Sequence, residues 1–222
     1  MIEVLRPGPL STVQDLGRPG LGHLGVSSSG AADRPAARLA NRLVGNAENA
    51  ATVEVTLGGL SVRFDAAATI AVTGAPAPLA VNGRAADLHA PISVRAGDVA
   101  ELGRPATGVR SYLAVRGGIA VDEVLGSRCT DTLSGLGPAI LAEGTRLPIG
   151  PHGDDLPNVD IAPVAALGDR IELTALLGPR DDWFTTEALE VLGAEAYDVT
   201  SDSDRVGLRL RGPKLTRSNT EE

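Results

Sequence analysis

The stretch Val53-Glu-Val-Thr-Leu-Gly-Gly-Leu-Ser-Val-Arg-Phe64 alternates apolar and polar residues on both sides of a glycine pair. A period of two puts every second side chain on one face, which suits a half-buried strand and defeats a helix. Val53, Val55 and Leu57 share one face, with Glu54 and Thr56 opposite. Gly58-Gly59 supplies a two-residue turn, so Leu60, Val62 and Phe64 are predicted to return as the partner strand of a hairpin. The same alternation predicts strands over Thr69–Thr73, Leu79–Val81 turning at Asn82-Gly83, Ile92–Arg95, Val109–Arg116, Ile171–Leu176 and Val206–Arg211. Twenty-seven glycines and fifteen prolines in 222 residues cut the chain into segments too short for long helices.

Two helices stand out against this pattern. Asp33 can cap the first, Pro35 fits its opening turn, and Ala36, Leu39, Ala40, Leu43 and Val44 repeat at helical spacing over 33–44. Gly45-Asn46 offers a left-handed stop. The second runs from Thr185 to Leu192, with Gly193 ending it. A parallel sheet with crossover helices lacks the helices it needs, so the fold class is mainly β, a sandwich or barrel. Residues 1–150 form an N-terminal β-rich domain. A Pro- and acid-rich stretch over 151–166 reads as a linker, and 167–222 as the start of a second, thinner domain.

Only Phe64, Tyr112, Trp183, Phe184 and Tyr197 are aromatic, so Val, Leu, Ile and Ala must build the core. Twenty-eight acidic residues against twenty basic give a net charge of −8, which works against binding nucleic acid or an anionic membrane. No apolar run approaches the roughly 18–20 residues of a membrane helix, and the N-terminus carries no basic-then-apolar signal. A cytoplasmic location is expected. Cys129 stands alone, and His23, His89 and His152 are scattered without ligand spacing, so no metal site is expected. Neither a G-x-S-x-G elbow nor a phosphate-binding P-loop occurs.

Chemistry-bearing residues concentrate in four places. Thr12-Val-Gln-Asp-Leu-Gly-Arg18 sets Gln14, Asp15 and Arg18 on a glycine-stiffened loop, with an amide, an acceptor and a five-donor fork. Read as a turn, the same loop would use Asp15 for capping and Arg18 for pairing with an acid. Ser29-Gly-Ala-Ala-Asp33 puts hydroxyl and carboxylate just ahead of a helix N-terminus, where capping and anion binding compete as readings. Arg110, Tyr112 and Arg116 share one strand face, with Val109, Leu113 and Val115 on the opposite, buried one. Paired arginines flanking a tyrosine suit a carboxylate or phosphate, or equally a solvated face. Thr130 and Asp131 sit in the polar loop Gly126–Gly135, in which Cys129 lacks a base and reads as a buried thiol. Glu54, on the polar face of its strand, is a candidate base.

Taken together, these segments resemble a known family. They read T-V-Q-D-x-G-R at 12–18, S-G-A-x-D-x-P-A-x-R-x-A-N at 29–41 and L-V-G-N at 43–46. Then follow E-V-T-L-G at 54–58, R-S-Y-L-A-V-x-G-G-I at 110–119, T-D at 130–131, R-L-P-I-G at 146–150, L-G-P-R at 177–180 and S-D-x-x-R-V-G-x-R-L at 201–210. The sequence resembles, over its whole length, the family of allophanate hydrolase subunit 2, KipA and the 5-oxoprolinase C-subunit, a biotin-dependent carboxyltransferase-like domain.

That resemblance implies a cyclophilin-like β-barrel architecture in two halves. Family members continue through a Q-V-P-type segment and a T-T-G-G-Y-P-type loop, neither of which occurs here, so an incomplete second half is expected. The resemblance further implies a partner like allophanate hydrolase subunit 1 or KipI, possibly with a third oxoprolinase subunit, and ATP-dependent opening of 5-oxoproline or a related cyclic amide or allophanate. ATP is used by the complex and need not bind this chain. Under this implication Arg18, Arg110 or Arg116 would hold the substrate carboxylate, and Asp15, Asp33 or Glu54 would act as base. Gln14 and Tyr112 would orient the substrate or donate to its oxyanion, with Ser29, Thr130 and Asp131 adding polar contacts. Two alternatives follow from the same family: a carboxyltransferase-type subunit working with biotin carried elsewhere, since no attachment site is evident, and a non-catalytic KipA-like regulator that binds a KipI-like protein.

Overall fold

The computed structural model describes residues 1–155, 157–165, 168 and 171–219. Its elements in chain order are β1 (Ile2–Pro7), β2 (Leu10–Gln14), α1 (Arg34–Leu43), β3 (Thr52–Thr56), β4 (Leu60–Phe64), β5 (Ala68–Gly74), β6 (Leu79–Val81), β7 (Arg84–Ala86), β8 (Ile92–Val94), β9 (Val99–Leu102), β10 (Arg110–Val115), β11 (Arg146–Leu147), α2 (Thr186–Ala194), β12 (Asp198–Val199) and β13 (Leu210–Arg211). The chain divides into two compact units, Met1–Val164 and Ala165–Glu222.

In the first unit two antiparallel sheets face each other. One has the strand order β11-β1-β4-β9-β6-β7 and the other β2-β3-β10-β5-β8. Between them lies an aliphatic core of Ile2, Val4, Val13, Val53, Val55, Val62, Phe64, Ile70, Val72, Leu113 and Val115. Burial of those side chains is the main force holding the sheets together. Mainly β is therefore the architecture, but the sheets do not close into the expected barrel.

The hairpin expected at Val53–Phe64 does not form. β3 pairs with β2 and β10, whereas β4 pairs with β1 and β9 in the other sheet. The alternation itself holds, since Val53, Val55, Leu60, Val62 and Phe64 are all buried. The connection makes the difference. Leu57, Gly58 and Gly59 all have positive φ (56°, 71° and 82°), and this bend carries the chain from one sheet to the other. By contrast, Asn82 and Gly83, at φ 51° and 75°, join β6 and β7 in the hairpin the sequence predicts.

The other face of the five-stranded sheet is covered by α1. Asp33 caps the helix, its Oδ1 accepting from the N–H of Ala36 at 3.0 Å, and Pro35 sits in the first turn. Ala37, Ala40, Leu43 and Val44 pack on Ala71, Tyr112 and Ala114. Small residues on both surfaces bring helix and sheet close. Val159 and Ala162, from the segment after the sheets, join this second core.

The second unit is sparser. Thr185 caps α2, accepting from the N–H of Ala188 at 3.2 Å, and the helix runs through Gly193 to Ala194 instead of stopping at the glycine. Asp198–Val199 pairs with Leu210–Arg211, shorter than the strand expected over 206–211. Ile171–Leu176 is not a strand: its residues are exposed and find no partner among the described residues. Alternation alone cannot make a strand that has no ladder to join.

The sheet-to-sheet bend gives a direct test. A Cβ on Gly58 would run into the carbonyl oxygen of Gly103, and its φ of +71° disfavours any side chain. Gly58→Ala is expected to cost at least about 2 kcal/mol, a fall in melting temperature of roughly 4–8 °C. Gly22→Ala, at ordinary φ with open space around it, should change it little.

Candidate functional site

The covered face of the five-stranded sheet is polar along one row. Cross-strand register aligns Thr12, Glu54, Tyr112 and Thr73 across β2, β3, β10 and β5. Gln14 and Thr52 flank that row on one side, Thr56 and Arg110 on the other. Because α1 and the loop before it lie over this face, residues that alternation marks as outward are buried. Glu54 is only 2% exposed.

A carboxylate so deeply buried must be hydrogen-bonded or paired to remain charged. Glu54 Oε2 accepts from the phenol of Tyr112 at 2.8 Å and from the N–H of Ala32 at 2.9 Å. Oε1 lies 3.6 Å from Nε of Arg110, whose Nη1 donates to Thr56 Oγ1 at 2.7 Å. The Tyr112 oxygen also accepts from the N–H of Asp33 at 2.7 Å, and Thr73 Oγ1 donates to the carbonyl of Ala36 at 2.7 Å. Three side chains of the row thus hold the start of α1. Burial, and next the charge of Glu54, push the Tyr112 phenol far above its ordinary value, so it stays protonated and donates.

Beside this row the loop carrying Asp15 and Arg18 meets the loop 126–137. Asp15 Oδ1 accepts from Ser127 Oγ at 2.6 Å and the N–H of Gly17 at 2.7 Å, and its Oδ2 from the N–H of Arg128 at 2.6 Å. Arg18 donates from Nε to the carbonyl of Val124 at 3.2 Å and from Nη2 to that of Cys129 at 2.8 Å. Its Nη1 stands 3.9 Å from Asp131 Oδ2. Gln14 Nε2 donates to Thr12 Oγ1 at 3.0 Å and to the carbonyl of Thr130 at 2.9 Å. Ser29 Oγ reaches the same carbonyl at 3.4 Å. Three buried atoms here, Gln14 Oε1, Arg18 Nη1 and Thr130 Oγ1, have no hydrogen-bond partner among the described residues.

Burial raises the Asp131 carboxyl, but hydrogen bonds from the side chains of Ser134 and Ser27 and from the N–H groups of Ser134 and Leu133 outweigh it. The net effect brings the group down to about 2. Backbone contact locks the Asp15–Arg18 loop to the segment leading into α1: the N–H of Arg18 donates to the carbonyl of Ser28, and that of Ala31 to the carbonyl of Asp15, both at 2.8 Å. A Cβ on Gly17 would strike the carbonyl of Ser28.

Of the eleven sequence candidates, Gln14, Asp15, Arg18, Ser29, Thr130 and Asp131 come together at the loop junction. Asp33, Glu54, Arg110 and Tyr112 gather at the head of α1. Arg116 stands apart, its Nη2 donating to the carbonyls of Gly153 and Asp155 at 2.6 and 2.8 Å. Val109 is 49% exposed, because β10 begins only at Arg110 and Val109 precedes the paired strand. Ser127 and the backbone of Arg128 and Ala32 hold the carboxylates, and sequence reasoning misses them. Only the glycine-bounded polarity of 126–135 hints at the first two. Cys129 is buried, and no cluster of three or more His, Cys, Asp or Glu that could hold a metal occurs among the described residues. No helix among them is long and apolar enough to cross a membrane.

The family profile described as carboxyltransferase domain, subdomain A and B, matches residues 24–222. The chain is 39% identical over 225 residues to the 5-oxoprolinase C-subunit of Escherichia coli K12, covering all of this chain and 72% of that protein. It is 35% identical over 230 residues to urea amidolyase of Lachancea kluyveri, covering 96% of this chain but 13% of that much longer protein. The crystal structure of the K. lactis urea amidolyase superposes with a TM-score of 0.82 at 34% identity, over 98% of this chain and 14% of that one. The chain belongs to the carboxyltransferase domain family.

The acid limb of stability tests the loop junction. Asp131 titrates below its ordinary value of 3.8 in the folded chain, so its contribution is complete above about pH 4 and fades as pH falls toward 2. Asp131→Asn should lower the urea midpoint at pH 6 and narrow its gap to wild type by pH 2.5. A gap that stays constant across that range would remove the carboxylate from the account.

Proposed function

We propose that this chain is one subunit of a heteromeric, ATP-dependent amidohydrolase that opens 5-oxoproline to glutamate. The observation that carries this reading is its likeness to the 5-oxoprolinase C-subunit along the full chain. The reaction adds water across a lactam C–N bond: the water oxygen bonds to the carbonyl carbon, the C–N bond breaks, and the ring nitrogen takes a proton and leaves as the amine. ATP hydrolysis in the complex drives it, and no residue of this chain is assigned to the nucleotide. The proposed partners are an allophanate hydrolase subunit 1 or KipI-like protein and a third oxoprolinase subunit.

Geometry revises the roles suggested by residue type. Asp15 is saturated by three short hydrogen bonds and Glu54 is engaged by Tyr112, Ala32 and Arg110, so both serve better as anchors than as bases toward water. Asp33 is the exposed carboxylate at the head of α1, beside the row that Tyr112 fixes. Arg110, with a side chain 15% exposed, is the most accessible of the three candidate arginines and suits a substrate carboxylate.

A second reading has its own support. The carboxyltransferase profile and the urea amidolyase likeness favour passing a carboxyl group from biotin carried on another protein. Glutamate release from 5-oxoproline and ATP separates the two, measured with the co-expressed partners, with and without this chain. Release is expected only when the chain is present, and Arg110→Ala should reduce it at least tenfold while the complex still assembles. Release that does not need the chain would overturn the hydrolase reading.

A further inference from the structure

The two sheets of the first unit leave an open side. β7 is the last strand of one and β8 the last strand of the other, and a cleft of about 580 Å³ lies along them. The main-chain N–H and C=O of one strand residue point to the same side, and that side alternates along the strand. The carbonyl of Thr69 accepts from the N–H of Arg116, away from β8, so Ser93, which stands opposite Thr69, turns its own main-chain groups outward. The carbonyl of Pro78 accepts from the N–H of Gly103, so Ala80 faces β9 as well, and Ala85, opposite Ala80, is likewise turned outward. Ala85 and Ser93 both line the cleft, and their main-chain donors and acceptors have no partner among the described residues.

Side chains give the cleft its chemical character. Val81, Ala86 and Ile92 form an apolar floor, half-buried against the aliphatic core. Arg84 and Arg95 are exposed, and neither guanidinium makes an ion pair or hydrogen bond among the described residues. Asp98 is the one acid in the lining, and its carboxylate is occupied by Asn82 Nδ2 and the N–H of Arg95, both at 2.7 Å. Two arginines against one acid leave the cleft net positive in a chain whose net charge is −8. None of these residues belongs to the loop junction or to the head of α1.

We propose that this cleft docks an extended segment of a partner protein, alternating acidic and apolar residues, as an added strand. An edge strand supplies main-chain hydrogen bonds to such a segment, and the flanking side chains select its sequence. Successive side chains of a strand point to opposite faces. One set would therefore lie on Val81, Ala86 and Ile92 while the acidic set meets Arg84 and Arg95, whose planar forks match carboxylates. A polyanion without a peptide backbone would use the charges but neither the floor nor the free main-chain groups. Edge charges also serve simply to repel a second sheet, and that use alone predicts no bound peptide.

Amide NMR of the full chain at low salt tests this, with the acetylated peptide Glu-Val-Glu-Val-Glu-Val as probe. Saturable shifts at residues 84–86 and 92–95, with slowed amide exchange at Ala85 or Ser93, are the expected result. Arg84→Ala and Arg95→Ala, both at exposed positions, should keep the melting temperature and each weaken binding by about threefold. N-methylation of the peptide's valine amides, or of its glutamate amides, keeps the charge and removes main-chain donors. One of the two sets should weaken binding by about fivefold. The peptide Lys-Val-Lys-Val-Lys-Val should not bind. No shifts in the cleft, equal binding of the lysine peptide, or affinities that neither arginine substitution alters would overturn the proposal. So would indifference to both methylations, which would reduce the cleft to a site for charge alone. Binding is read without ATP or turnover, so its result is independent of the hydrolase reading.

Discussion

One buried carboxylate holds together everything above the five-stranded sheet. Glu54 lies on a face that the strand's alternation marks as outward, and α1 converts that face into an interior. Left unpaired there, the charge would destabilise the fold by several kcal/mol. Tyr112, the Ala32 N–H and Arg110 remove that penalty together. The same bonds pin residues 32 and 33, and so the point where the helix begins. Asp33 caps the helix from its side chain and gives its own N–H to the Tyr112 oxygen. Sheet, helix start and the loop leading into it are therefore a single hydrogen-bonded assembly.

The loop junction beside it follows the same logic with different parts. Asp15 and Asp131 are each enclosed by hydroxyls and backbone N–H groups, and Arg18 bridges the two loops through carbonyls. Such networks specify one arrangement, since every member must be satisfied at once. Within the junction Gln14 Oε1 and Thr130 Oγ1 are buried without a hydrogen-bond partner among the described residues, while Arg18 Nη1 faces Asp131 at 3.9 Å.

Much of this was legible in the sequence because local rules were obeyed locally. The cap at Asp33, Pro35 and the stop at Gly45 placed α1 to within a residue, and Asn82-Gly83 placed the β6–β7 hairpin. The faces of Val53, Val55, Val62 and Phe64 came from a period of two. What alternation could not show was which sheet a strand enters. Leu57, Gly58 and Gly59 look like a hairpin turn in sequence, and only three successive positive φ values reveal a crossing between layers. Nor could it show that Glu54 is buried, since that depends on α1 folding back over the face of the sheet. Ile171–Leu176 failed for the complementary reason: the pattern was present, but the described residues hold no strand beside it. Among candidate residues, those adjacent to glycine-bounded loops were gathered by the fold, whereas Arg116 lies near the C-terminal end of α1 and grips the backbone at Gly153 and Asp155.

The polar face under α1 is where the proposed chemistry would act, and the assembly around Glu54 is what would hold that site in shape. A double-mutant cycle on Glu54→Gln and Tyr112→Phe, read by urea denaturation at neutral pH, tests this most directly. The structure predicts strong coupling, a departure from additivity of at least about 1 kcal/mol, because each side chain is satisfied through the other. Losses that add to within about 0.3 kcal/mol would mean the two residues act independently, and the buried row would not be the support on which the site depends.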